Sequence, residues 1–155
     1  MNAVSDELYS LLVPLGDERL LVPRACVAEV VTWQQPELVE NAPPWYLGNI
    51  NWNSRVVPVI SFEAACGKHI PLAGGRTRIV ICVAISGKLT SGYFGLVTQG
   101  FPQLVRLGPD IVKPDPNQPF FDRQPVLCQV RMINEAPLIP DFERLEQMIS
   151  EEMRG

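Results

Sequence analysis

Apolar and polar positions change over in short steps along this chain, and Gly, Pro, Asn, Asp or Ser bound almost every run. Leu8–Leu15 (LYSLLVPL) and Arg19–Pro23 (RLLVP) predict two strands joined by a turn at Gly16-Asp17-Glu18. Cys26–Trp33 (CVAEVVTW) fits a strand or a helical turn and is assigned to a strand entered through a short turn. After the polar loop Gln34–Asn41, Pro43-Pro44 forces an extended entry, because proline cannot continue a helix and disfavours helical geometry in the residue before it. Trp45, Tyr46 and Leu47 form a bulky apolar anchor, and Gly48 lets the backbone bend. Strands Asn49–Trp52 and Arg55–Ile60 follow, with Asn53-Ser54 as a tight hairpin turn, since Asn tolerates positive φ. Pro58 cannot donate a ladder hydrogen bond, which predicts an edge strand or a bulge.

Ser61 is a suitable N-cap for a short helix, Phe62–Cys66, with Gly67 as its stop. Lys68–Gly75 (KHIPLAGG) is the clearest internal boundary. Arg76-Thr77-Arg78 then leads into a buried strand, Ile79–Ile85, and Ser86–Gly92 is a hairpin loop before the strand Tyr93–Thr98. Phe101–Leu107 matches Cys26–Trp33 in place and pattern. Gly108–Pro119 holds four prolines and predicts an irregular connection. Val126–Ile133 and Ala136–Ile139 are strands around an Asn134-Glu135 turn. Asp141 caps a closing helix with Phe142, Leu145, Ile149 and Met153 on one face.

The chain contains itself twice. Val57–Glu63 (VPVISFE) and Pro137–Glu143 (PLIPDFE) each run from a strand through a cap residue into Phe-Glu, and Arg19–Val31 pairs with Tyr93–Val105. The offset, roughly 75–80 residues, suits a duplicated small barrel rather than a solenoid. Each half alone is a five-strand barrel of marginal core size, so the two are expected to share an apolar seam. The predicted architecture is mainly β, one domain over residues 1–155. Its subdomains span about 15–67 and about 76–135 by this periodicity, with the N-terminal strand and C-terminal segment exchanged between them as an option.

Composition narrows the function. Fifteen prolines and eleven glycines in 155 residues argue for short strands over long helices. A net charge of −4 argues against a nucleic-acid binder. No basic-then-apolar leader opens the chain and no apolar run approaches bilayer length, so a cytoplasmic protein without membrane insertion is expected. Cys26, Cys66, Cys82 and Cys128 lack any Cys-x-x-Cys pairing, which predicts reduced, buried core residues.

Catalytic patterns are not evident. Cys66 and the single histidine, His69, flank Gly67-Lys68 in what reads as a solvent loop. One His and four scattered Cys give no zinc pattern, and neither Gly74-Gly75 nor Ser86-Gly87-Lys88 is a phosphate loop. No enzyme, cofactor or metal is expected. Arg76 and Arg78 read as a solvated edge. Trp45 and Tyr46 read as core plugs, whereas Trp33 and Trp52 stand beside turns, where tryptophan can serve as an interface anchor. Val56 and Val57 alternate across their strand, so only one can face the core. The candidate partner-binding residues are Trp52, Asn53, Ser54, Arg55 and Val57.

The order Gly48, Asn49-Ile50, Asn51-Trp52-Asn53-Ser54, Val56-Val57-Pro58-Val59-Ile60, Ser61-Phe62 resembles the CheW-like domains, adaptors that join bacterial chemoreceptors to a histidine kinase. Gly95-Leu96-Val97 and Pro140-Asp141-Phe142 extend the similarity, which runs from about Leu8 to Met148. The resemblance implies two pseudo-symmetric five-stranded SH3-like β-barrels packed together. It also implies two partners: the regulatory domain of a CheA-type histidine kinase and the cytoplasmic tip of a chemoreceptor. Relatives carry Arg-Gly where this chain has Asn53-Ser54, with an arginine one step later at Arg55. That departure points to an accessory CheW-like protein, for which a type IV pilus (twitching motility) system is one fitting setting. The rival expectation is a stand-alone β-barrel module for a ligand or peptide.

Overall fold

The structure, a computed structural model, describes residues 8–108, 113–114 and 124–153; most of the proline-rich Gly108–Pro119 connection lies outside them. In chain order the elements begin with β1 (Leu8–Pro14), β2 (Arg19–Pro23), a 3-10 turn (Arg24–Cys26) and β3 (Val27–Thr32). Next come β4 (Tyr46–Trp52), β5 (Arg55–Ile60), α1 (Phe62–Ala65), β6 (Arg78–Val83) and β7 (Tyr93–Thr98). The last are β8 (Gln103–Leu107), β9 (Lys113–Pro114), β10 (Val126–Arg131), β11 (Leu138–Pro140) and α2 (Phe142–Met153). The 3-10 turn feeding β3 is the short entry turn that the sequence predicts.

Two sheets form, in the orders β3-β6-β7-β5-β4 and β8-β1-β2-β11-β10-β9. Setting aside the two-residue β9, they match strand for strand. Both contain one parallel pair, β5 with β7 and β11 with β2, among antiparallel neighbours. The strand order is thus repeated, with the N-terminal strands β1 and β2 lying in the second sheet. The first sheet uses residues between 27 and 98, and the second joins the N-terminal strands to strands drawn from 103–140. Lys68–Gly75 is thus a connection inside the first unit. The burial of Ile79–Cys82 on both faces explains why: such a strand must sit centrally, and it pairs with β3 and β7.

Three apolar clusters follow from this arrangement. Ile50, Val57, Val59, Ile79, Ile81 and Val97 fill the inner face of the first sheet. Leu12, Leu21 and Val130 do so for the second. Between the sheets, Val13, Leu20 and Val22 meet Ile60, Val80, Cys82, Phe94 and Leu96, giving the shared seam the sequence requires. Phe142, Leu145 and Ile149 of α2 close that seam, whereas Met153, expected on the same face, is 42% exposed beyond its end. Of the four free cysteines only Cys82 is fully buried; Cys26, Cys66 and Cys128 are half-buried at the margins of the packing.

Among the described residues neither sheet closes into a barrel, unlike the closed SH3-like barrels that the resemblance implies. In the first sheet the edges β3 and β4 share no ladder. The segment after β3 is held to β4 by the backbone pair Glu37–Asn49 (2.8 and 2.9 Å), and β4 itself bonds β3 through one side-chain bond from Trp52 to Glu29. Pro36, next to that pair, has no N–H with which to extend a ladder. Gly48 is required here, because at its φ of 137° a Cβ would lie 2.3 Å from the Glu37 carbonyl oxygen. The proline-bearing β5 lies between β7 and β4, so it is not an edge strand, but the bulge, the other expectation for it, is present: the β4–β5 register shifts between Tyr46 and Gly48, opposite Ile60 and Val59. Its ladder to β7 is made at Val59 and Ile60, after Pro58, and on the β4 side Pro58 faces Asn49, whose N–H and C=O are both taken by Glu37, so neither side asks Pro58 for an N–H.

Both short-range caps form as expected. Ser61 Oγ accepts from the Ala64 N–H at 3.2 Å, and Gly67 ends α1 at φ 82°. Asp141 Oδ1 accepts from the Arg144 N–H at 3.0 Å at the start of α2.

Candidate docking rim at the hairpin tip

The β4–β5 hairpin turns on Asn53 (φ 51°) and Ser54 (φ 62°), between the paired residues Trp52 and Arg55. Two consecutive left-handed residues give the turn whose twist matches that of the flanking strands. Asn is tolerant of this conformation, and Ser54 is held in it by the register on either side.

Trp52 and Arg55 face each other across the ladder, so their side chains share a face, and both meet Tyr93 at the start of β7. The Trp52 ring approaches Tyr93 edge-on, with centroids 4.9 Å apart and planes at 63°. The Arg55 guanidinium lies 5.4 Å from the Tyr93 ring centroid and donates to the Ser91 carbonyl at 3.0 Å. The Trp52 indole N–H donates to Glu29 Oε1 at 2.9 Å. The tip is consequently a fixed aromatic and cationic rim. Asn53, Ser54 and Arg55 are exposed and Trp52 is half-buried.

Four of the five expected partner-binding residues, Trp52, Asn53, Ser54 and Arg55, gather here. Val57 does not. It has no exposed surface and packs in the inner cluster of the first sheet. Strand alternation explains the correction. Arg55, Val57 and Val59 share the inward face, and Arg55 escapes burial only because the strand runs past the end of the core. The valine turned outward is Val56, 57% exposed. Glu29, Ser91 and Tyr93 were missed. They come from β3, from the β6–β7 connection and from the start of β7, distant in sequence, and only the strand register brings them together.

The Cys66–His69 region forms a cleft of about 250 Å³ with Gly16, Glu63 and Lys68 on its walls. Burial, and secondarily the Glu63 carboxylate, pushes the Cys66 thiol up to about 11, away from the thiolate a nucleophile needs. Among the described residues, no three His, Cys, Asp or Glu side chains converge as metal ligands.

The CheW-like domain matches residues 10–146, nearly the full span of both sheets. The chain belongs to the CheW-like family. Its fold is similar to that of the scaffolding protein TtCheW from Thermoanaerobacter tengcongensis, with a TM-score of 0.71 over 86% of this chain and 83% of that one. Sequence identity across the match is 18%, so this likeness bears on the fold. No curated protein matches the chain. In this CheW-like chain the turn itself is neutral, and the arginine is carried on the first residue of the return strand, where Tyr93 and Ser91 fix its direction. No helix among the described residues is long and apolar enough to cross a membrane.

Proposed function

We propose that this CheW-like chain is a non-catalytic cytoplasmic adaptor that couples chemoreceptors to a CheA-type histidine kinase, recruited to membrane-associated receptor arrays. The observation that carries the reading is the rim of Trp52, Arg55 and Tyr93, pre-ordered at the end of a rigid two-sheet scaffold of this family. A half-buried Trp beside an oriented Arg is the composition of an interface hot spot. Each sheet acts as one half of a pseudo-symmetric pair, and the kinase regulatory domain, built on the same plan, docks end-to-end on the rim. The helical tip of a chemoreceptor is received near the seam. Individually modest contacts become strong through multivalency in an array. The neutral Asn53-Ser54 turn suits an accessory adaptor, with twitching motility as one setting.

The test is co-elution of the purified chain with the regulatory domain of each CheA-type kinase of its host on size exclusion, beside a working control adaptor. A complex lost on Arg55→Ala supports the reading. Failure with every kinase while the control binds overturns it.

A further inference from the structure

Among the described residues two carboxylates are buried, Glu63 of α1 and Glu146 of α2. Glu146 is well satisfied, with donors at 2.5, 2.8 and 3.0 Å. Glu63, only 7% exposed, takes one good bond, from the Gly16 N–H at 2.9 Å. The Ser61 hydroxyl reaches its Oε1 only at 3.5 Å, beyond effective O–H···O geometry. An ionised carboxylate offers about four acceptor positions, so Glu63 keeps most of its capacity unused where bulk water is largely excluded. A buried charge in that state is costly unless a cation meets it.

Glu63 stands in the wall of the cleft of about 250 Å³ beside Cys66 and His69. Lys68 is the single ammonium on those walls, and it is already paired with Glu18. With Asp17, the lining carries three carboxylates against one lysine. The apolar lining lies at depth, because Leu15 and Phe62 are only 7% and 2% exposed. The exposed members, Gly16, Asp17, Lys68 and His69, are small or polar. Apolar surface below and polar groups above suit a small guest, whereas a protein interface needs exposed apolar surface at its centre. An inorganic cation would leave Leu15 and Phe62 unused.

We infer that this cleft binds a small organic cation, a primary ammonium on a compact apolar body, with Glu63 as its counter-ion. The ammonium donates to Glu63 in a charge-assisted hydrogen bond, and the body rests on Leu15 and Phe62. Gly16 belongs to the β1–β2 turn and Glu63 to α1 after β5, so the guest sits at a tie between the two sheets. The site is separate from the hairpin rim and does not rest on the adaptor reading.

The probe is cyclohexylammonium, titrated into the full chain at neutral pH and followed by NMR at the Gly16 and Cys66 amides. Cyclohexanol and cyclohexanecarboxylate are the neutral and anionic controls. The expected result is saturable binding of the ammonium only, with a Kd of about 1 mM or tighter. Glu63→Gln, which keeps an acceptor for the Gly16 N–H, should weaken it about tenfold. Cys66→Met, which fills the cleft without altering the carboxylate, should weaken it by a similar factor and keeps the test open if Glu63→Gln does not fold. Arg55→Ala, which disables the rim, should leave it unchanged, so this inference and the adaptor reading fail separately. Absence of binding, equal binding of cyclohexanol, or indifference to either folded variant would overturn the inference. So would displacement by equimolar potassium, which would make the guest an inorganic ion, or tighter binding of a blocked lysine peptide, which would make it a partner's side chain.

Discussion

Glu146 of α2, fully buried, accepts from Ser86 twice, from its N–H at 2.8 Å and from its hydroxyl at 2.5 Å. Its other oxygen takes the Ile85 N–H at 3.0 Å. The closing helix follows the second sheet, and the loop it holds joins β6 to β7 of the first. A counterpart runs the other way: Glu63 of α1, which follows β5 of the first sheet, accepts the Gly16 N–H at 2.9 Å in the β1–β2 turn of the second. Each helix thus ties down the hairpin of the opposite unit, and these bonds link the two sheets across the seam. Glu146→Ala should destabilise the chain by about 1–3 kcal/mol, because it leaves the part-buried Ile85 and Ser86 amides without their acceptor. Glu146→Gln, which keeps one acceptor oxygen, should cost less. Urea denaturation gives the energies, and hydrogen exchange should accelerate selectively at Ile85 and Ser86.

Gly48→Ala tests how the open edge of the first sheet is held. The added Cβ meets the Glu37 backbone oxygen at 2.3 Å, and φ is 137°, so the Glu37–Asn49 pair must break. The expected loss is about 3 kcal/mol, read by thermal or urea unfolding. A variant as stable as the parent would mean that this backbone pair does not hold β4.

The two adjacent valines should behave oppositely. Val57→Ala removes methyl groups from a closed core and should cost about 2 kcal/mol. Val56→Ala should change stability by no more than about 0.5 kcal/mol. Equal effects would refute the strand parity described for β5.

At the rim, Trp52→Ala and Arg55→Ala should each weaken binding of the kinase regulatory domain by about 2 kcal/mol, the scale of a hot-spot truncation. Circular dichroism should show both variants folded. Glu29→Gln, which keeps an acceptor for the indole, should have a smaller effect than Glu29→Ala if Glu29 acts by positioning Trp52. Fluorescence of Trp52 in a background with Trp33 and Trp45 replaced by Phe would report that positioning directly.

Cys66 supplies a pH dependence. Its thiol ionises at about 11 in the folded chain, against an ordinary value of 9.0. The unfolded state therefore loses its proton first as pH rises. The stabilising contribution is complete below 9.0, declines above it and is spent beyond about 11. Alkylation of Cys66 by iodoacetamide, followed by mass spectrometry, should stay slow at neutral pH and accelerate across that window. Rapid modification at neutral pH would contradict the buried setting.

Local order was legible in the sequence because local chemistry decides it. Ser61 and Asp141 can cap, Gly67 can stop, Asn53-Ser54 can reverse the chain, and each does so where the pattern places it. The duplication was legible as well, since two copies of strand, cap and Phe-Glu must bury similar faces. The partition of strands between sheets was not. Hydrophobic alternation marks a strand as buried without naming its neighbours, and it took the pairing of β1 and β2 with β8 and β11 to show that the N-terminal strands complete the later unit. The same limit governed the site. The sequence supplied the hairpin tip, but only register turned Val57 inward and Val56 outward, and only tertiary packing brought Glu29 and Tyr93 from other strands to meet Trp52. Contacts made across tens of residues are fixed by how the sheets assemble, and no local pattern encodes that assembly.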